Sequence, residues 1–450
     1  MVKLSINNFR AVRSASIDLN GISVLTGVNA SGKSTISRLL YYSLYYSQNF
    51  EDLLEPDLLY NKLEPIISLY RRLLNSLYIR NGISLEDRAR IREARDLSMS
   101  NNLNIMREAH EEIIDLLIEF YEGHGLEVRQ HERSAFGGYA KKRIANRYSF
   151  INALYGLKDE VNLIFDTYNK ETVLRDPKYL SRKLQREFGT PELDPTLFSI
   201  QEEEESIIDL RKKSVGKVSS IDKVYYIDTP VVVNMPSGVQ IFEDTPLHWA
   251  QLLELFSSTP MDYSEDYWSH RIANIVKGRA IVVKPTEGIN RSVRMRFKSD
   301  KGVEFPLKEV ATGIKGFAML QLLLQKGLLD KNTLLIIDEP EAHLHPQWIV
   351  EYAKLLVELN HSLGTRFLIA THSTDMVQTL YLLQEEYNES RKETDDCSLK
   401  FYLAEQSDSA TDGYVYKDCQ GDIEPIFSVF NRSYDLMAKY TPTISKMNDE

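Results

Sequence analysis

Cysteine is nearly missing from this chain: two in 450 residues, Cys397 and Cys419. Neither stands at metal-ligand spacing, and disulfides are unusual in a reducing compartment, so both read as ordinary thiols. Apolar runs are short. None reaches the roughly eighteen residues that a membrane-spanning helix needs. The N-terminus lacks the apolar block of a secretory signal and opens on an apparent strand, Val2–Ile6, so the expected location is the cytoplasm. Positive charge is not in excess either, with 54 Lys and Arg against 65 Asp and Glu and a formal net charge of −11. The basic balance typical of a nucleic-acid binder is therefore missing. A local run, Arg129, Arg133, Lys141, Lys142, Arg143 and Arg147, reads as a solvated helical face with Glu127 and Glu132 as counter-charges. Internal repeats and low-complexity tracts do not occur.

The length suits one large α/β head that carries an inserted domain. Lys3–Ile6 and Ala15–Leu19 alternate like half-buried strands, and Ile22–Thr26 reads as a short buried one. A loop from Gly27 leads into an apolar-periodic helix, Ser34–Tyr46. From Asn49 to Val215 the character changes, with helical spacing in Leu63–Leu77, Leu85–Asp96 and Ile105–Tyr121, and breaks at Pro177, Pro191 and Pro195. This stretch is expected to be an all-α insertion, its acidic run Glu202–Glu205 lying on an exposed helix face. Val224–Ile227 brings the chain back to the sheet, ended by Asp228, Thr229 and Pro230. Ala280–Val283 and Ser292–Phe297 read as paired strands around a turn with Pro285, Gly288 and Asn290. Val310–Leu329 is helical in pattern, and Thr333–Ile337 is a continuous, mostly apolar run of the kind found in central parallel strands. Helices are expected at Pro346–Leu359, Asp375–Leu383 and Glu424–Lys439, a buried strand at Arg366–Ala370, and a hairpin from Ser398–Leu403 and Gly413–Lys417.

Gly27-Val28-Asn29-Ala30-Ser31-Gly32-Lys33-Ser34 fits the phosphate-loop pattern G-x-x-x-x-G-K-[ST] in full, between a strand and a helix as the pattern requires. Glycines let the backbone curl so that successive N–H groups point at phosphate oxygens. The helix start adds its partial positive charge. Lys33 supplies a point charge to the β- and γ-phosphates, and the Ser34 hydroxyl is a hard oxygen ligand for Mg²⁺. The expected ATP-binding set is Gly27, Asn29, Ala30, Ser31, Gly32, Lys33, Ser34 and Thr35.

Leu334-Leu335-Ile336-Ile337-Asp338-Glu339-Pro340 is an apolar strand that ends in two carboxylates. Behind a phosphate loop, Asp338 is expected to complete the Mg²⁺ shell, and Glu339 to orient the attacking water or take its proton. Phe367-Leu368-Ile369-Ala370-Thr371-His372-Ser373 is again a strand with a polar tip, which puts His372 near the γ-phosphate or the water. His343 and His345 stand two apart with no third ligand near, so zinc is not expected there. That segment reads as a loop, with Pro346 in the first turn of the next helix.

The order of these parts resembles the ABC-type ATPase heads of SMC, RecF and OLD-family proteins. The stretch Asp338-Glu339-Pro340-Glu341-Ala342-His343-Leu344-His345-Pro346 is most similar to the OLD-like group, which includes ATPase subunits of bacterial anti-phage systems of the Septu, retron-associated and PARIS types. The resemblance covers Met1–Gln48 and Val303–Leu383. It implies an ABC-type P-loop head with a mixed β-sheet core and a large all-α insertion. The expected division is 1–48, a helical insertion over 49–215 that serves dimerisation or partner binding, and 216–450. It also implies head-to-head self-association, in which a signature loop caps ATP bound by the other copy. Val310-Ala311-Thr312-Gly313-Ile314-Lys315 is its counterpart here. Ala311 replaces the usual serine, and Thr312 and Gly313 join the nucleotide-binding set.

OLD nucleases carry a TOPRIM domain after the ATPase. Here Asp408, Asp412 and Asp422 form no recognisable cluster, so the resemblance implies a separate effector nuclease or toxin as partner. A nucleic acid remains a further possible partner, and a membrane does not. The competing readings are a RecF- or SMC-like DNA-repair ATPase, a transporter's nucleotide-binding subunit, and a protein that uses ATP only as a structural clamp.

Overall fold

The structure, a computed structural model, describes residues 1–50, 56–78, 84–98, 103–141, 143–229, 245–258, 267–283, 294–390, 398–407 and 413–431. Lys142, Pro230, Pro285, Gly288, Asn290, Cys397, Asp408, Asp412 and the helix expected beyond residue 431 lie outside them. The chain divides into two compact units, Met1–Asn49 with Leu180–Glu450, and Phe50–Tyr179.

In the first unit the strands are β1 (Val2–Phe9), β2 (Val12–Asp18), β3 (Ile22–Thr26), β4 (Phe198–Glu202), β5 (Glu205–Asp209) and β6 (Lys223–Ile227). They continue with β7 (Gly278–Val283), β8 (Arg294–Ser299), β9 (Glu304–Pro306), β10 (Thr333–Asp338), β11 (Arg366–Thr371), β12 (Leu399–Gln406) and β13 (Tyr414–Asp418). Ten of them form one mixed sheet in the order β5-β4-β1-β2-β13-β12-β3-β11-β10-β6. Its centre, β12-β3-β11-β10-β6, is parallel throughout. Every residue of β3 and β10 is buried, which explains their mostly apolar sequence: strands covered on both faces have no polar side to alternate with. β1, β2, β4 and β5 make an antiparallel wing.

Two features of the register place the functional residues. Thr26 pairs with Thr371, and Asp338 pairs with Ala370, so β3, β10 and β11 end at one edge of the sheet. Loops that leave the carboxyl ends of parallel strands are where α/β proteins bind ligands. The helix Lys33–Gln48 packs beneath them, with Ile36, Leu39, Leu40, Tyr41 and Leu44 buried. The hairpin of β12 and β13 forms as its alternation suggests, and β12 also joins β3 in parallel. β7 and β8 pair antiparallel, and β9 extends them to a separate small sheet.

Two expectations give way. The helical stretch does not run to Val215: the compact helical unit ends at Tyr179, and residues 198–209 supply β4 and β5 to the head's sheet. The acidic run is not on a helix. Glu202 ends β4, Glu205 begins β5, and Glu203 sits in the turn at φ 57°. The Glu202 carboxylate accepts from Ser219 N at 2.7 Å, Ser219 Oγ at 2.8 Å and Ser220 N at 2.8 Å. Tertiary partners for a carboxylate overrode the local helical preference of the run.

The second unit is helical among its described residues, with helices Pro56–Tyr78, Leu85–Leu97, Leu103–Ile118, Gln130–Ala140 and Arg147–Leu174. Ser84 caps the second by accepting from Asp87 N at 3.0 Å. Leu63, Leu73, Ile113, Leu117, Phe150, Leu154 and Phe165 meet in its core. His110 is buried there beside Tyr70, and desolvation pulls its pKa down to about 4. Part of the basic run is taken up locally. Arg147 donates to Tyr121 O, and Arg133 to Ala145 O.

Candidate functional site

The loop after β3 is built for a ligand that accepts hydrogen bonds. Gly27, Ala30 and Gly32 hold φ angles of 149°, 64° and 99°. A Cβ at Gly32 would lie 2.7 Å from Val12 Cγ2, and one at Gly27 2.6 Å from Ala404 Cβ, so neighbours and backbone both demand glycine. Gly32 stands at the N-cap with no side-chain cap, which leaves the first N–H groups of the helix free for an outside acceptor. Asn29, Ala30 and Ser34 are exposed, whereas Ser31 and Lys33 are buried. Lys33 Nζ donates to Gly27 O at 2.9 Å and Val28 O at 3.1 Å. Desolvation lowers its pKa, against the opposing pull of Glu339, Asp338 and Glu341, which surround it with negative charge.

Asp338, at the end of β10, is buried and held on both oxygens. Ser37 Oγ donates to Oδ1 at 2.6 Å, and Tyr226 OH to Oδ2 at 2.8 Å. Desolvation raises the Asp338 pKa, while the hydroxyls of Ser37, Tyr226 and Ser34 lower it. Ser34 and Asp338 thus meet. Ser37 and Tyr226 were not expected. Ser37 lies four residues after Lys33, on the same helical face, which is a signal a reader could have used. Tyr226 carries none, because only the pairing of β6 with β10 brings it beside Asp338. Its ring lies tilted at 37° to that of His248, with centroids 4.6 Å apart.

The turn after Asp338 reaches across to β11. Glu339 is in the left-handed region at φ 47°, its amide donating to Ala370 O at 2.7 Å, and its side chain is half exposed. His372 Nδ1 lies 3.5 Å from Glu339 Oε1 and 3.3 Å from Glu341 Oε1. Glu341 is buried and accepts from Thr371 Oγ1 at 2.7 Å and His372 N at 3.0 Å, while its Oε2 has no hydrogen-bond partner among the described residues. The sequence reading placed no role on Glu341.

Thr312 and Gly313 open the helix Thr312–Gln325, with Ala311 at the N-cap and no side-chain cap. Gly313 is buried against the turn that follows β10. A Cβ there would lie 2.9 Å from His343 O and 3.0 Å from Leu344 Cδ2. Among the described residues no hydrogen bond joins Thr312 or Gly313 to residues 27–34. His345 Nδ1 accepts from Gln347 N and caps the helix Pro346–Leu363, which gives it a structural task. No group of three or more His, Cys, Asp and Glu residues suited to a metal occurs among the described residues.

A glycine loop that opens a helix with a lysine, and a neighbouring parallel strand that ends Asp-Glu beside a strand-tip histidine, define a P-loop ATPase of the ABC type. Residues 1–228, more than half of the chain, match the family described as "AAA ATPase domain". The chain belongs to that family, and it is an ATPase. Residues 157–376 match a second family, described as "AAA domain, putative AbiEii toxin, Type IV TA system". Over 153 residues the chain is 29% identical to the energy-coupling factor transporter ATP-binding protein EcfA3 of Clostridium perfringens, covering 32% of this chain and 53% of that protein. The chain thus spans about half the length of this relative. Among solved structures, the SMC head domain of Pyrococcus furiosus bound to the C-terminal domain of ScpA aligns with 96% of this chain and 100% of its own, at 12% identity and a TM-score of 0.34. The protein cbiO1 of Clostridium perfringens, part of the ABC transporter complex cbiONQ, aligns with 59% of this chain and 82% of its own, at 20% identity and a TM-score of 0.27. No helix among the described residues is long and apolar enough to cross a membrane.

Proposed function

We propose that ATP binds with its phosphates on residues 27–35 and is hydrolysed by water activated at Glu339. The observation that carries this reading is the convergence of Ser34, Ser37 and Tyr226 on Asp338, next to the Lys33 amine. Gly27, Asn29, Ala30, Ser31, Gly32 and Thr35 line the phosphates, and Lys33 leaves its loop carbonyls for the β- and γ-oxygens. The Ser34 hydroxyl and the Asp338 carboxylate are hard oxygens side by side, a donor set that fits Mg²⁺. When bound, Mg²⁺ would neutralise charge on the β- and γ-phosphates. Glu339 takes the proton of the attacking water, the new P–O bond forms at the γ-phosphorus, and the bond to the ADP oxygen breaks. His372 contacts the γ-phosphate or that water. Thr312 and Gly313 act on the nucleotide of a second copy, which makes the working form a head-to-head dimer or higher oligomer.

The wider role we propose is that of an ATPase subunit in a cytoplasmic prokaryotic anti-phage complex, which assembles with a separate nuclease or toxin and controls it. The run Asp338–Pro346 and the AbiEii-type match over residues 157–376 support this reading. The helical unit Phe50–Tyr179 is its partner- or self-binding surface. Tagged Glu339→Gln protein, saturated with ATP and recovered from the native host at physiological salt, should carry a second protein that is toxic or nucleolytic alone. Recovery of the chain by itself, together with ATPase activity of the wild-type protein stimulated by plain duplex DNA with a steep salt dependence, would replace the defence role by a DNA-repair role.

A further inference from the structure

His372 is held from behind by a carboxylate that the proposed reaction does not use. Glu341 Oε1 receives the Thr371 hydroxyl and the His372 amide, and it faces His372 Nδ1 at 3.3 Å. The second carboxylate near Nδ1, Glu339 Oε1 at 3.5 Å, is half exposed, whereas Glu341 is 8% exposed. A carboxylate oxygen accepts hydrogen bonds, so a ring nitrogen 3.3 and 3.5 Å from two of them is best matched by the tautomer that puts the proton there. The half-exposed Glu339 has other work in the proposed reaction. The buried Glu341 is pinned by two donors from β11 and its following residue, and cannot turn away without leaving those donors unpaired in a dry site.

We propose that Glu341 is the positioning residue of this ATPase: it fixes His372 as the Nδ1–H form and directs Nε2 away from the carboxylates, toward the bound triphosphate. The inference rests on the reading of His372 as a nucleotide-facing group. Histidines that bind metals or polarise substrates are commonly held in this way, one nitrogen on an acceptor and the other at work. The arrangement also ties two segments together. The turn Glu339–His343 and the tip of β11 share Glu341, and the same turn supports Gly313 through His343 O.

The test is nitrogen-15 NMR of the histidine rings in the full-length chain, with His372 assigned by its loss in His372→Ala. The wild-type ring should show a proton on Nδ1. Glu341→Ala should return the ring toward the Nε2–H form that free neutral histidine prefers. Glu341→Gln, which keeps an acceptor for Thr371 and the His372 amide, covers the case in which the alanine variant does not fold. It should lower kcat on the order of tenfold. An unchanged His372 tautomer in Glu341→Ala, or an unchanged kcat in Glu341→Gln, would overturn the assignment. Glu339→Gln measured beside them separates the two ideas. If its turnover collapses while Glu341→Gln equals wild type, the positioning role alone fails. If Glu339→Gln turns over normally, the reaction scheme beneath it fails.

Discussion

Ser37 Oγ donates to Asp338 Oδ1 at 2.6 Å, across 301 positions of sequence. That bond joins the helix behind the phosphate loop to the strand that carries the acidic pair, and it orients one Asp338 oxygen while Tyr226 orients the other. Both donors are buried or nearly so, where a charge-assisted hydrogen bond is strongest and its loss is felt most.

Tyr226→Phe should therefore act on metal use before it acts on nucleotide. Loss of an outer-shell partner commonly costs about 10- to 100-fold in metal affinity or activity. The Mg²⁺ concentration for half-maximal ATPase should rise by that order, with nucleotide affinity measured in EDTA unchanged. A Mg²⁺ titration identical to wild type would remove Tyr226 from the site.

Lys33→Ala and Glu339→Gln should separate binding from turnover. Loss of one charge-assisted contact to phosphate, about 2 kcal/mol, corresponds to an affinity about 30-fold weaker. Equilibrium binding of a fluorescent ATP analogue reads this directly. Glu339→Gln should bind as wild type does and lose about 10²- to 10⁴-fold in phosphate release, the range for a missing general base.

Gly313→Ala places a methyl 2.9 Å from His343 O, a backbone atom that cannot swing aside. The helix start must then move off the turn behind Glu341. ATP binding by the single head should persist, while ATP-dependent dimerisation and hydrolysis should fall together, as read by light scattering and phosphate release. Wild-type dimerisation in this variant would show that the contact does not position the signature loop.

Glu202 links β4 to Ser219 and Ser220, and its effect on stability depends on pH. Desolvation raises its pKa, but hydrogen bonds from the two serines outweigh it and bring the group down to about 2 from 4.5. A depressed carboxylate stabilises the fold above its unfolded pKa and loses that contribution as pH falls through the folded one. The difference in denaturation midpoint between wild type and Glu202→Gln should therefore be full at pH 7, shrink below about pH 4.5 and vanish near pH 2. A difference independent of pH would assign the effect to packing rather than charge.

Much of this molecule is legible in its sequence, for local reasons. Val24 and Leu25, or Leu335 and Ile336, sit in strands buried on both faces, and such strands are mostly apolar. The phosphate loop is legible because backbone curvature at Gly27 and Gly32 admits no side chain, and the chemistry then requires Lys33 and Ser34 next in order. The acidic pair and His372 stand out because each is polar at the tip of an apolar strand. The acidic run at Glu202 misled because its four carboxylates satisfy a helical pattern as well as a hairpin, and only Ser219 and Ser220 decide between them.

The sequence by itself determined the phosphate loop, the strand ends and the existence of a helical unit, since each follows from the preferences of a few neighbouring residues. Tertiary structure alone decided that β6 lies beside β10, that Tyr226 and Ser37 grip Asp338, and that Glu341 rather than an exposed acid backs His372. These depend on strand order and on burial, which are properties of residues far apart in the chain, and no local pattern records which distant partners will meet.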